Sequence, residues 1–212
     1  MSGLTLHGFH YSVYSRAARL VLHHRDLDHD WVEVNPFRAD KGRGPHPMHR
    51  VPVLDHDGFR LFETAAILTY VATAFPGDTL IPEDPKARAR MVQVQGIVDA
   101  YAYWPMVRQV YSAGVFAPAI GTPRDEDEVA TGLAAAAPVL AMLDAIAGEG
   151  RVLAEQTLTL ADLHLAPMVA AFTAAPEGAE AVARHPAVML WWDWMRNRPE
   201  MAATDPGLPR KS

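Results

Sequence analysis

The chain has 212 residues, half of them hydrophobic and 21% charged, so a folded globular protein is expected. The formal net charge of -6 provides no basic field for nucleic acid or an anionic membrane, and no uninterrupted apolar run approaches the ~18 residues that span a bilayer. The chain has no cysteine, which excludes disulfides, thiolate metal sites and cysteine nucleophiles. Met1–Thr5 lacks the basic start of a signal peptide, so a soluble cytoplasmic protein is expected.

The first 76 residues have the pattern of a small α/β domain. Short apolar runs bounded by turn residues predict four strands, and apolar residues at helical spacing predict two helices. Asp57-Gly58 separates the last two strands, and this dipeptide is typical of tight hairpins. The element order implies a four-stranded mixed sheet with a parallel first pair and an antiparallel hairpin. The predicted strands are Leu4–Phe9, Trp31–Val34, Val51–Leu54 and Phe59–Phe62, and the predicted helices are about Ser15–Arg25 and the segment after Glu63-Thr64.

The rest of the chain predicts helices and no convincing strand. Phe75–Pro85 holds three prolines and reads as a connector, so we expect domains at residues 1–76 and 86–212 joined by a linker at 77–85. Pro105 predicts a bend in the first long helix of the second domain. Thr122-Pro123 predicts the start of the next helix, which Gly148 should end. Thr159-Leu160-Ala161-Asp162 has the spacing of a capping box and predicts another helix start.

A polar pair, Glu63-Thr64, lies between the last predicted strand and the helix that follows it. Free backbone N–H groups and the positive end of the helix dipole collect at such a position. Both features attract a carboxylate. The residues alone therefore predict a candidate anion pocket at the start of this helix.

Taken together, four stretches of the chain resemble the glutathione S-transferase family. The stretches are Gly8–Ser12 with Ser15–Leu22, Val51–Leu54, Phe62–Ile67 and Leu158–Leu163. The resemblance implies an α/β + all-α fold, in which a thioredoxin-like N-terminal domain precedes an all-helical C-terminal domain. It also implies a detoxifying glutathione transferase that activates the thiol of its co-substrate glutathione as a thiolate, which attacks a small hydrophobic electrophile. A homodimer without nucleic acid or membrane partners is expected as well.

The resemblance also implies which residues bind glutathione. Pro52 corresponds to the family's cis-proline, and Val51 would offer its backbone to the cysteinyl amide, as in an added β-strand. Glu63 and Thr64 correspond to the acidic and hydroxyl pair that holds the γ-glutamyl end. The glycine carboxylate needs a cation, but this chain has Arg50 where relatives have glutamine, so the choice stays open. The candidates are Arg38, Lys41, Arg43, His49 and Arg50, and the alternative is a solvated basic loop.

Ser12 matches the catalytic serine of the serine-type classes. A hydroxyl at the N-terminus of the first helix would stabilise the thiolate of glutathione. Tyr11 and Ser15 lie close enough in sequence to serve the same purpose, and the alternative for Ser12 is a plain helix N-cap. Because the chain has no cysteine, the cysteine-type classes are excluded.

The electrophile pocket is expected at the interface of the two domains, where apolar clefts commonly form. Core packing is the alternative for each aromatic candidate. The histidines of His46–His49 and the His7/His10 pair offer no fixed ligand face, so no metal is expected. A second function on the same fold is a non-catalytic module that binds glutathione conjugates or another protein. The pocket candidates are His10, Tyr11, Tyr101, Tyr103, Trp104, Val107, Tyr111 and Phe116.

Overall fold

The computed structural model describes residues 3–37 and 44–209 and divides into two compact units. The first unit comprises Met1–Thr79 together with Pro199–Pro206. The second unit comprises Leu80–Arg198 and Gly207–Ser212. The chain therefore returns to the first unit after it has formed the second.

The first unit is built on four strands and two long helices. They are β1 Leu4–Gly8, α1 Val13–His24, β2 Asp30–Glu33, β3 Val53–His56, β4 Phe59–Phe62 and α2 Thr64–Ala74. The strands form one sheet in the order β2-β1-β3-β4. β1 pairs with β2 in parallel and with β3 in antiparallel, and β3 and β4 form an antiparallel hairpin. The predicted four-stranded mixed sheet is confirmed.

The β3–β4 hairpin has the turn that its sequence predicts, but β3 begins later than expected. Asp57 and Gly58 have φ values of 50° and 86°, and two positive φ values are what a type I′ hairpin turn requires. The strand predicted at Val51–Leu54 instead covers Val53–His56. Because Pro52 has no N–H to donate to a ladder, the paired part of the strand begins after it.

The described residues of the second unit are mainly helical. The helices are α3 Pro85–Ile97, the π-helix Val98–Phe116, α4 Ala117–Ala119, α5 Glu126–Gly148, α6 Leu160–Thr173, α7 Pro176–Ala183 and α8 Pro186–Arg196. The predicted all-helical domain is confirmed. Pro105, where the sequence predicts a bend, lies inside the π-helix. Within the described ranges, only α5 has the length and apolar composition of a membrane-spanning helix, and one face of α5 packs against the π-helix and α8.

The predicted start of α5 at Thr122-Pro123 is wrong. The helix begins at Glu126, and the carboxylate of Asp125 accepts the N–H of Glu128 at 3.0 Å. An aspartate is at least as good an N-cap as a threonine, and this one lies directly before the acidic first turn. The predicted end at Gly148 is confirmed.

The predicted capping box at the start of α6 is confirmed. Asp162 Oδ2 accepts the backbone N–H of Thr159 at 2.6 Å, and Asp162 Oδ1 accepts the indole N–H of Trp191 at 2.7 Å. The Asp162 side chain is fully buried, and this burial raises its pKa to about 6 against the hydrogen bonds that lower it. The box thus joins the beginning of α6 to α8.

A short last helix, α9 Pro199–Ala203, belongs to the first unit and packs on α1. The Arg16 guanidinium donates to the carbonyl oxygen of Met201 at 2.8 Å. His24 Nδ1 lies 2.9 Å from Glu200 Oε1. The helix α1, which follows the loop of Ser12, is therefore stabilised by contacts with α9, a segment distant in sequence.

Candidate active site

The strand register brings three of the predicted functional segments to one end of the sheet. Val53 pairs with His7 on one side and with Phe62 on the other. The end of β1, the start of β3 and the end of β4 therefore lie next to one another. The Ser12 loop follows β1, Val51-Pro52 precedes β3, and Glu63-Thr64 follows β4.

Ser12 is the N-cap of α1. Its backbone is extended, with φ -77° and ψ 124°, and its Oγ accepts the N–H of Ser15 at 3.2 Å. Its own N–H donates to the carbonyl oxygen of Phe9 at 2.9 Å. The residue remains partly exposed, so the hydroxyl lies at the positive end of the helix, where an anion could reach it.

The two other hydroxyl candidates near Ser12 differ in their access to solvent. Ser15 is fully buried, and its Oγ accepts the N–H of Phe9 at 3.2 Å. Tyr11 is partly exposed and makes edge contacts with the rings of Phe9 and His10, at centroid distances of 5.6 and 5.0 Å. Ser15 therefore supports the loop from inside, while Ser12 and Tyr11 lie where a ligand could reach them.

Glu33, which sequence reasoning missed, ties the Ser12 loop to β2. Its Oε1 accepts the N–H of His10 at 3.0 Å, and its Oε2 accepts the indole N–H of Trp31 at 2.9 Å. The Arg19 guanidinium lies 5.7 Å from the centroid of the Trp31 ring. An exposed acidic residue on an edge strand gives no sequence signal for such a role, since the contact exists only after β1 and β2 pair.

The peptide bond between Val51 and Pro52 is cis, as the family resemblance implies. Pro52 is buried and Val51 is partly exposed, outside the paired residues of β3. Of the candidate cations, His49 and Arg50 are exposed just before this bond, and His49 has a φ of 54°. The remaining cation candidates, Arg38, Lys41 and Arg43, lie outside the described residues.

Glu63 and Thr64 form the N-terminus of α2. Glu63 is the N-cap, with a φ of 69° that is uncommon for a residue other than glycine, and its side chain makes no capping hydrogen bond. Its carboxylate is exposed, whereas Thr64 is buried as the first helical residue. Strained backbone of this kind clusters at ligand-binding positions, where the surrounding structure holds it. The pair offers a carboxylate beside the free N–H groups of a helix start.

The loop before Pro52 also supplies His46 to this end of the sheet. The imidazole is only 4% exposed, and its Nε2 lies 3.7 Å from Glu63 Oε1. From the sequence, His46 is considered only as a metal ligand, and no metal is expected there. Within the described parts of the chain, no group of three or more His, Asp or Glu side chains could hold a metal ion.

The residues predicted for the electrophile pocket differ in exposure. His10 is exposed in the first unit. On the π-helix, Tyr101 and Trp104 expose 59% and 61% of their surface, whereas Val107 and Tyr111 are buried. Tyr101 and Trp104 are thus available to a ligand, and Val107 and Tyr111 take part in core packing.

The family is shown by the following comparisons. Residues 6–79 match the family model of the glutathione S-transferase N-terminal domain, and residues 103–199 match that of its C-terminal domain. Glutathione S-transferase F13 of Arabidopsis thaliana is 28% identical over an alignment of 212 residues that covers 97% of this chain and 96% of the relative. A glutathione S-transferase of Hyoscyamus muticus is 30% identical over an alignment of 171 residues that covers 78% of this chain and 80% of the relative. The crystal structure of glutathione transferase F7 from Populus trichocarpa is similar with a TM-score of 0.81 and 27% identity, covering 97% of this chain and 99% of that chain. The chain belongs to the glutathione S-transferase family of enzymes.

Proposed function

We propose that this glutathione transferase activates the thiol of glutathione with Ser12 and joins the sulfur to a small hydrophobic electrophile. The observation that carries the proposal is the common position of the Ser12 loop, Val51-Pro52 and Glu63-Thr64 at one end of the sheet. A tripeptide laid across this end would meet a helix N-terminus near its thiol and another near its γ-glutamyl group.

Each segment has a distinct part in binding. Val51 lies outside the paired strand residues, and its backbone pairs with the cysteinyl amide of glutathione. The first-turn N–H groups of α2 and the Thr64 hydroxyl bind the γ-glutamyl carboxylate, and the exposed Glu63 carboxylate faces the ammonium. A cation from the preceding loop, among His49, Arg50 and Lys41, holds the glycine carboxylate.

The chemical step is a nucleophilic substitution or addition by the thiolate. Ser12 Oγ accepts the N–H of Ser15 through one lone pair, and its own O–H can still donate to the sulfur anion. The positive end of α1 stabilises the same charge. The thiol proton passes to solvent, and the sulfur forms a bond to the electrophilic carbon. In a substitution a leaving group departs with its electron pair, and in an addition the electron pair of the broken π bond takes up a proton from solvent. Tyr11 is the second candidate donor.

Exposed apolar and aromatic side chains are the candidates for binding the electrophile. Tyr101 and Trp104 are the best candidates on the π-helix, because more than half of each side chain is exposed. His10 and Tyr11 are the candidates on the loop of the first unit. This assignment implies a small hydrophobic acceptor and a detoxifying role in the cytoplasm.

Turnover with a broad electrophile panel tests the proposal. Wild-type protein should conjugate glutathione to chlorodinitrobenzene, with chloride released in proportion to the thioether formed. Ser12→Ala should lower the rate strongly, and Tyr11→Phe should change it little if Ser12 is the donor. The reverse pattern would assign the role to Tyr11. No conjugation with any acceptor in the panel would refute the catalytic proposal.

A non-catalytic glutathione-binding module is the second candidate. The observation in its favour is that Ser12 already has an ordinary structural task as the N-cap of α1. Calorimetry separates the two functions, because a binding module takes up glutathione without turnover. Failure to bind glutathione would contradict both.

The proposed assembly is a homodimer. Met48, Phe59 and Phe62 are exposed large hydrophobic side chains of the first unit, with 71% of Met48 accessible. Burying such side chains against a second copy would stabilise the pair. Light scattering at micromolar concentration should give twice the 23.2 kDa mass of the chain. A particle of single-chain mass would contradict the dimer.

A further inference from the structure

His46 is buried, whereas the four residues that follow it in the same loop are exposed. Pro47, Met48, His49 and Arg50 all face solvent, whereas the His46 side chain is 4% accessible. Its ring packs against Phe62 with a centroid distance of 4.9 Å. Apolar side chains are usually buried more often than titratable ones, but here the imidazole is buried and Met48 is exposed. The contacts of the His46 ring therefore need an explanation.

Two hydrogen bonds of His46 stabilise the loop itself. His46 Nδ1 accepts the backbone N–H of Met48 at 3.0 Å, and the carbonyl oxygen of His46 accepts the N–H of His49 at 2.9 Å. These bonds close the turn in which His49 takes its positive φ. The turn leads directly through Arg50 to Val51, the residue proposed to pair with the cysteinyl amide.

The hydrogen bond from the Met48 N–H to Nδ1 determines which ring nitrogen of His46 carries the proton. Because a backbone N–H donates to Nδ1, that nitrogen holds a lone pair, and the neutral ring carries its hydrogen on Nε2. Nε2 lies 3.7 Å from the Glu63 carboxylate. An N–H dipole in a buried ring thus points towards the carboxylate proposed to face the ammonium of glutathione.

Glu63 is a side chain that benefits from such support. Its carboxylate is 73% exposed, its backbone has a strained φ of 69°, and it makes no capping bond within α2. Without an anchor its rotamers are free, and ordering them on ligand binding costs free energy. A fixed donor on the buried side reduces that cost.

We propose that His46 is a positioning residue that couples the two halves of the glutathione site. Through Nδ1 it holds the turn that places Val51, and through Nε2 it orients Glu63. The inference rests on the proposed function, since it concerns how the same site binds glutathione. His46 itself contacts neither the thiol nor the electrophile in this arrangement, so its effect falls on affinity rather than on the chemical step.

Two substitutions separate the two contacts. His46→Asn keeps an acceptor at the position of Nδ1, where an asparagine oxygen bonds the N–H two residues on, but it removes the donor aimed at Glu63. His46→Gln keeps an amide donor near the position of Nε2 and gives up the short-range acceptor. His23→Ala, an exposed histidine in the last turn of α1, is the control for histidine loss. Thermal unfolding of each variant confirms that it folds.

The measurements are calorimetric glutathione affinity, kcat at saturating glutathione, and hydrogen exchange of the Met48 amide. His46→Asn should weaken glutathione binding about fivefold, the factor expected for one weak polar contact to a partly exposed carboxylate, with kcat unchanged and Met48 exchange slow. His46→Gln should bind more tightly than His46→Asn but exchange Met48 faster. Adding Glu63→Gln to His46→Asn should weaken binding no more than Glu63→Gln alone, because the two residues act through one contact.

The outcomes distinguish this inference from the proposed function. Wild-type protein that fails to bind glutathione would refute the proposed function and with it the coupling role. Two results would overturn the inference but leave the proposed function intact, provided that the wild type binds glutathione. One is a glutathione affinity of His46→Asn equal to that of the wild type. The other is a loss of affinity in the double variant that equals the sum of the two single losses. A fall in kcat without a change in affinity would also overturn it, because it would move His46 from positioning to chemistry.

Discussion

Replacing Ser12 with alanine should separate glutathione activation from glutathione binding. The Ser12 hydroxyl makes two contributions, an accepted hydrogen bond from the N–H of Ser15 at 3.2 Å and, in the proposed mechanism, a donated one to the thiolate. Loss of an N-cap serine costs about 1 kcal/mol of stability. A hydrogen bond to a charged group contributes about 1.5–3 kcal/mol.

These magnitudes translate into a shift of the pH profile. One pKa unit corresponds to about 1.36 kcal/mol, so Ser12→Ala should raise the pKa of the bound thiol by about one to two units. A raised pKa leaves less thiolate below that pKa, so kcat/KM near neutral pH should fall by about tenfold to a hundredfold. The loss should shrink as the pH rises past the new pKa. The assay is kcat/KM for chlorodinitrobenzene across a pH series, together with the thiolate absorbance of the glutathione complex.

Ser12→Asp is the matched control. Aspartate caps a helix as well as serine, so the free energy of unfolding should stay within about 0.5 kcal/mol of the wild type. Its carboxylate repels the thiolate, so activity should be as low as in Ser12→Ala or lower. A Ser12→Ala profile that superimposes on that of the wild type, or an active Ser12→Asp variant, would refute the activating role of Ser12.

Three further predictions follow from other contacts. Glu63→Ala should weaken glutathione binding by about 1.5–3 kcal/mol, because a charged hydrogen bond to the ammonium is lost; calorimetry showing unchanged affinity would contradict that contact. The pKa of Asp162 is raised from 3.8 to about 6 by burial, so the folded state holds a proton that the unfolded state has released between these values, and stability should fall as the pH rises through that window. Urea unfolding of the wild type and Asp162→Asn measures this, and a wild-type stability that rises relative to the variant would be the wrong sign. Arg16→Ala should destabilise the protein by about 2–3 kcal/mol, because the guanidinium bonds to Met201 and Thr204 are lost. Thermal unfolding checks this loss, and a variant as stable as the wild type would show that α9 does not depend on Arg16.

Most of the fold could be predicted because its signals are local. The Asp57-Gly58 turn, the Thr159–Asp162 capping box and the alternation of β1 each depend on residues within a few positions of one another. The start of α5 could not be placed, because Asp125 and the preceding Thr122-Pro123 offer competing N-caps. The very short α4 and α9 have no periodicity to detect.

In the candidate site, too, local sequence signals could be read and tertiary contacts could not. Glu63-Thr64 could be found from the junction of a predicted strand and a predicted helix, where a helix start exposes its N–H groups. Ser12 is indicated only by the family resemblance. His46 and Glu33 could not, because each acts through a partner brought close only by tertiary structure. Sequence spacing between His46 and Glu63 carries no information on a 3.7 Å contact.

The return of residues 199–206 to the first unit has a consequence for biosynthesis. The segment that carries α9 emerges from the ribosome only after residues 80–198 of the second unit have been translated. Until then α1 lacks its carbonyl partner at Met201 and the Glu200 side chain beside His24. The first unit, which holds Ser12, therefore cannot reach its final packing when only its N-terminal part has been synthesised. Its final packing waits for the second unit to be made.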